Sequence, residues 1–132
     1  MNQTELFLGE RPLWSAASLE LDDVQALWGG RRIVLQGDGT AVLTTVSREG
    51  NQQTKQFLLG EKEVQPLFQL CVAVDLVTMV MPERMGVPDE ARPTLTLVNG
   101  NDRRHTVAKW ANDKNERFDT IYTALLKAVQ EH

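Results

Sequence analysis

The chain is poor in the residues that carry most catalytic and metal chemistry. It holds one cysteine and two histidines in 132 residues. A lone cysteine excludes an intrachain disulfide, and nothing in the composition points to an oxidising compartment. Cys71, His105 and His132 lie too far apart to form a zinc-binding spacing. Long apolar runs are missing as well. The longest, Leu70 to Met81, is interrupted by Asp75 and Thr78 and is too short to span a bilayer. The opening MNQTELFLGERP has no basic stretch ahead of an apolar one, so no signal peptide is expected. A basic excess is lacking: the net charge is −4, which disfavours nucleic acid, whose binders usually carry a basic face. No glycine-rich loop leads into a helix through Lys-Ser or Lys-Thr, so a phosphate cradle of that kind is excluded. These absences predict a cytoplasmic protein without cofactor or membrane association.

What is present is ordinary globular material. The hydrophobic fraction is 42% and the charged fraction 24%, enough for one domain over residues 1–132 with a core of its own. Residues 1–17 read as a loosely attached segment, with Leu6, Phe7 and Leu8 as a short edge strand and Trp14 pinning it to the body. Leu19 to Trp28 is open to two readings, a short helix capped by Ser18 or a half-exposed strand in which Leu19 and Leu21 alternate with acids. The alternation favours the strand.

Two hairpins stand out. Asp38-Gly39 joins Arg31–Gln36 to Thr40–Ser47, and Asn99-Gly100 joins Thr94–Val98 to His105–Val107. Both dipeptides suit two-residue turns, whose central residues take positive φ. Such turns pair Leu35 with Val42, Ile33 with Thr44 and Leu95 with Arg104. Leu95 and Leu97 then share a face with Thr106, Ala108 and Trp110. The other face carries Thr94, Thr96, His105, Val107 and Lys109. A three-residue second loop with a bulge instead sets Val107 beside Leu95 and turns Trp110 outward. The first register is favoured because an indole buries more apolar area than a valine. Thr54 to Leu59 adds a strand with Phe57 and Leu59 inward.

Glu61 to Val74 predicts a helix, with Val64, Leu67, Phe68, Cys71 and Val74 on one stripe and Pro66 delaying its regular start to about Glu63. Leu76 to Met81 continues as a short extended piece. Pro82 to Arg92 is a connection held by its prolines, Gly86 and the side chains of Met81, Met85 and Val87. Asp113 to Gln130 predicts a second helix, capped by Asp113 and striped by Phe118, Ile121, Tyr122, Leu125, Leu126 and Val129. Strands, helix, hairpin and helix in that order predict an α+β fold: an antiparallel meander sheet of about five or six strands with two helices packed on one face.

The segment PDEARPTLTL, the VAKW strand and the following helix with Phe118 and Tyr122 resemble a group of small bacterial α+β proteins. Trp28-Gly29-Gly30 and Gly37-Asp38-Gly39 fit the same likeness, which covers about residues 18 to 130. It implies no activity.

No catalytic, cofactor or metal residues are assigned. Pro88-Asp89, followed by a strand ending in Lys109, has the outline of a metal-dependent nuclease motif. That chemistry needs a carboxylate two residues before the lysine to share the metal, and the position is Val107. Cys71 falls on an apolar helix stripe, where a thiol is usually inert packing. Asp89, Glu90, Arg92, His105 and Lys109 are the candidate interaction residues. Locally, Asp89 would close an Asx turn and Arg92 would pair with a carboxylate; functionally, the group would rim a pocket or partner site. The resulting expectation is a non-enzymatic binding or protein-interaction module acting through the uncovered sheet face. The alternative is a small-molecule-binding protein or small enzyme, with a pocket under the Met81–Arg92 loop lined by Met79, Met81, Met85 and Trp110. A homodimer closed by edge-strand pairing is a third reading.

Overall fold

The computed structural model describes residues 1–25 and 27–130. Six strands form one antiparallel sheet: β1 (Ser18–Gln25), β2 (Gly29–Gln36), β3 (Thr40–Val46), β4 (Gln52–Leu58), β5 (Thr94–Val98) and β6 (Arg104–Ala108). Their spatial order is β4-β3-β2-β1-β5-β6. The first four make the expected meander. The chain then crosses through α2 (Glu61–Ala73) and returns on the far side, where β5 pairs with β1. The acid-leucine alternation after Ser18 is a strand, as its period of two requires. Leu19 and Leu21 are buried, while Glu20 and Asp22 point the other way and meet Arg104 and Arg32.

Both hairpin registers differ from expectation. In β2–β3, Leu35 opposes Ala41 and Ile33 opposes Leu43, not Val42 and Thr44. The connection is three residues long. Gly37 N–H is already committed to the Ala17 carbonyl at 2.8 Å, and Asp38 Oδ1 accepts from the Thr40 N–H at 2.9 Å. Gly39 at φ 104° takes the positive-φ position that a bulged three-residue turn needs. One added loop residue shifts every pair by one, which brings Leu43 inward and moves Val42 and Val46 to the opposite face.

In β5–β6, Val98 opposes Arg104 and Leu95 opposes Val107, so Asn99 to Arg103 form a five-residue loop. Asn99 is buried and builds it. Its Oδ1 accepts from Asn101 and Arg103 N–H, each at 3.0 Å, and its amide donates to the Phe7 carbonyl at 2.9 Å. The core side of β6 therefore bears His105 and Val107, followed by Lys109. Thr106 and Ala108 share the other side with Thr94 and Thr96. The expected open-face set is thus divided: His105, Val107 and Lys109 belong with Leu95 and Leu97. The indole argument fails: Val107 stands beside Leu95, as in the alternative register, and Trp110 lies past the strand end, half-buried.

Among the described residues there are three α-helices, one more than expected: α1 (Gln3–Leu8), α2 and α3 (Glu116–Gln130), with 3₁₀ turns at Arg11–Ala16 and Leu76–Thr78. The amphipathic stripes of the two long helices hold in the main: Val64, Leu67, Phe68 and Cys71 from α2, and Phe118, Ile121, Leu125 and Val129 from α3 are buried, while Val74, the C-cap just past α2, and Tyr122 and Leu126 of α3 are half-buried. They share one cluster with Leu19, Leu21, Ile33, Leu35, Ala41, Leu95, Leu97 and Val107, all on one side of the sheet by register. α2 begins at Glu61, before Pro66, which forfeits a single intrahelical bond in the second turn. α3 is capped by Asn115, whose Oδ1 accepts from the Phe118 N–H at 3.0 Å; Asp113 is engaged elsewhere.

Residues 1–17 are not a strand and not loosely attached. Asn2 caps α1 through a reciprocal bond pair with Glu5. Leu8, Trp14 and Thr4 are buried. Asp75, in the left-handed region at φ 51°, turns its carboxylate onto the Thr4 N–H at 2.9 Å and hydroxyl at 2.7 Å. Arg117 of α3 donates to the Val74 and Asp75 carbonyls at 2.6 Å each and to the Thr78 hydroxyl at 2.7 Å. This knot ends α2 and curls Leu76–Thr78, where an extended piece was expected. Among the described residues no helix is long and apolar enough to cross a membrane.

Candidate functional site at the loop end of the sheet

The register gathers the chemistry at one end of the sheet. The C-terminal ends of β1, β3 and β6 and the N-terminal ends of β2 and β5 meet there, through the pairs Asp22–Thr94, Thr94–Ala108, Gln25–Gly29 and Gly30–Val46. The β5–β6 ladder runs on past both strands, with Lys109 N–H donating to the Pro93 carbonyl and Ala111 N–H to that of Ala91. Lys109 and Trp110 consequently leave on opposite sides, as period two demands.

On the outer side the indole organises the Pro82–Arg92 connection. Trp110 Nε1 donates to the Arg84 carbonyl at 3.0 Å. The Arg92 guanidinium lies 4.8 Å and that of Arg84 5.7 Å from the ring centre. Gly86 rests on the ring so closely that a Cβ there would stand 2.3 Å from Cζ3. Arg84 also donates to Glu90, at 3.0 and 2.6 Å, and to Asp113 at 3.1 Å. Glu90 accepts further from the N–H groups of Val87 at 3.1 Å and Asn112 at 2.9 Å. Its carboxylate is 1% exposed. The hydrogen bonds from Arg84, with those from the two N–H groups, outweigh burial and hold it down at about 2. The loop is therefore held by Arg84 and Glu90 around the indole. The expected methionine lining does not assemble there: Met85 is 92% exposed, and the space against the ring is filled by Gly86.

On the inner side a cavity of about 220 Å³ opens between the sheet end and the start of α3. It is lined by Asp23, Ala91, Pro93, Lys109, Ala111, Phe118, Asp119 and Tyr122. Asp23 reaches it from β1, on the same side as Leu19 and Leu21. Lys109 is buried, and its Nζ donates to Asp119 Oδ1 at 2.6 Å and lies 5.4 Å from the centre of the Phe118 ring. The Tyr122 hydroxyl donates to Asp23 Oδ2. Burial, then the hydrogen bond and charge of Asp23, push the phenol up to about 12 against the opposing pull of Arg31. A phenol so raised stays protonated at neutral pH and serves as a donor, not as a general base.

The five candidate residues do not form one site. Glu90 and Arg92 belong to the outer cluster around Trp110, while Lys109 belongs to the inner cavity. Asp89 sits at φ 67° in the turn, its carbonyl accepting from the Gln25 amide at 3.4 Å. His105 lies farther up the strand, edge-on to Phe7 with ring centres 6.4 Å apart. Arg92 stacks on an indole where pairing with a carboxylate was expected; the ion pair belongs to Glu90 and Arg84. Arg84, Asp23, Asp119 and Tyr122 are not among the candidate residues; Tyr122 enters the sequence reading only as part of the stripe of the last helix. Asp119 and Tyr122 are one helical turn apart, which a helix wheel could flag, but their partners are known only once the register turns Lys109 inward.

Cys71 is buried, and burial pushes its thiol up to about 12, so it packs and does not react. Among the described residues no three His, Cys, Asp or Glu side chains come together in a way that could hold a metal ion; His132 lies outside them. Trp28 is 54% exposed, with Arg48 stacked 4.4 Å from its ring centre. No known family model and no curated protein matches the chain.

Proposed function

We propose that the chain is a non-enzymatic protein-interaction module that binds through the sheet face its helices leave uncovered. The supporting observation is the make-up of that face. Val34 and Val42 stand opposite each other at its centre, half-buried. Around them are the cross-strand threonine pairs Thr96–Thr106 and Thr44–Thr54, at 3.1 and 3.4 Å between hydroxyls, and the ion pairs Arg32–Asp22 and Arg104–Glu20. An apolar centre with a polar, hydrogen-bonding rim is the pattern of a protein interface. The exposed Trp28, with its arginine, lies at the margin of the same sheet, and Trp and Arg are the residues most often found at binding hot spots. The partner is another protein; neither a membrane nor a nucleic acid is called for by a chain of net charge −4.

The test is affinity capture from the native lysate, quantified by mass spectrometry, with Thr96→Arg and Trp28→Ala compared with Thr123→Arg, an exposed position on α3. A partner lost with Thr96→Arg but retained with Thr123→Arg supports the reading. A partner retained by both sheet variants and lost with Thr123→Arg moves the interface to the helices.

A further inference from the structure

The inner cavity carries a second reading, independent of the sheet face. Buried lysines are rare unless paired, and a charge left buried without its partner is strongly unfavourable. Here the two partners are unequal. The Lys109 side chain is 9% exposed, whereas that of its counter-ion, Asp119, is 49% exposed. Asp119 stands on the first turns of α3 and can rotate into water without disturbing the core. The ammonium stays at the cavity wall, on a side chain 9% exposed and 5.4 Å from the centre of the Phe118 ring. The wall also presents the Asp23 carboxylate, which takes one bond from Tyr122 and has acceptor capacity left. Ala91, Pro93, Ala111 and the face of Phe118 supply an apolar lining.

We propose that this cavity binds a small carboxylate that also carries a hydrogen-bond donor, a hydroxy- or amino-acid of few atoms. The ligand carboxylate takes the place of Asp119 on Lys109, and its hydroxyl or ammonium group donates to Asp23. Asp119 is then an internal stand-in for the ligand, holding the lysine charge when the cavity is empty. The volume, about 220 Å³, sets the size class. That falls below the range of drug-sized pockets, about 300–1,000 Å³. No covalent step is involved.

The test is calorimetric titration of the whole chain with lactate, L-alanine and 4-aminobutyrate, with acetate and methylamine as one-group probes. Binding by at least one two-group probe is expected to saturate below about 1 mM. Loss of the charge in Lys109→Met should weaken it by at least about tenfold. Asp119→Ala removes the internal competitor and should tighten binding, an effect that misfolding cannot imitate. Thr96→Arg, on the opposite face, should leave it unchanged, so failure here and failure of the protein-interaction reading are separate results. Absence of saturable binding by every two-group probe, equal affinity in Lys109→Met, or no gain in Asp119→Ala overturns the proposal.

Discussion

Thr4 is buried, and its hydroxyl does two jobs: it donates to Asp75 Oδ1 at 2.7 Å and accepts from the Val77 N–H at 3.1 Å. Thr4→Val keeps the shape and removes both. A hydrogen bond to a charged group contributes about 1.5–3 kcal/mol, and a half-buried N–H left without a partner adds to the loss, so the expected cost is about 2–4 kcal/mol. At about 3–6 °C per kcal/mol for a chain of this size, the midpoint should fall by at least about 6 °C. The pH dependence identifies the cause. Burial raises the Asp75 carboxyl, but the hydrogen bonds from Thr4 and Thr78 and the charge of Arg117 outweigh it and leave the group below its ordinary value of 3.8. A carboxyl lowered on folding contributes stability that is complete above the unfolded-chain value and lost as pH falls through the folded one. The penalty of Thr4→Val should therefore be full near neutrality and shrink as pH drops below 3.8. Urea melts at several pH values, followed by tryptophan fluorescence, measure it, with Thr4→Ser as the variant that restores the hydroxyl. A cost under about 0.5 kcal/mol, the usual range of surface substitutions, or one that ignores pH, would refute the account of how the N-terminal segment is fastened.

Three further outcomes follow from the packing and the pKa directions. Leu125→Ala, at a site 0% exposed, should lose about 2–5 kcal/mol in urea melts, and a loss within surface range would place α3 outside the core. Tyr122 is the one tyrosine, so an ultraviolet titration reads it directly; it should ionise near 12 and move downward in Asp23→Asn, whereas an unshifted value would deny the buried contact. Gly86→Ala should force the loop off the indole, since a Cβ would stand 2.3 Å from Trp110 Cζ3. The emission of Trp110, read with Trp14 and Trp28 replaced by phenylalanine, should then shift to the red.

The surest parts of the sequence reading rested on short-range periodicity. The stripe from Phe118 to Val129 and the alternation from Leu19 to Asp22 need only the helical or strand repeat and a core to face, and both stand. So does the antiparallel α+β class, because a meander followed by a hairpin has few other ways to bury two one-sided helices. Hairpin register was not readable in the same way. The turn dipeptides do not fix loop length, and the three-residue and five-residue loops are held by distant bonds: Ala17 taking the Gly37 N–H, and Phe7 taking the Asn99 amide. Residues 1–17 escaped for the same reason, since a six-residue helix is too short to stand on its own repeat and is held by Asp75, 71 positions away from Thr4.

The amino-acid order by itself determined which residues repeat with helical or strand period, and hence the class of fold and most of the core. The tertiary structure alone decided phase: whether Lys109 faces water or Asp119, and whether Trp110 is core or clasp. Period is a property of neighbours in the chain. Phase is set by bonds between residues far apart in it, and with a strand repeat of two a shift of one residue exchanges the inside for the outside.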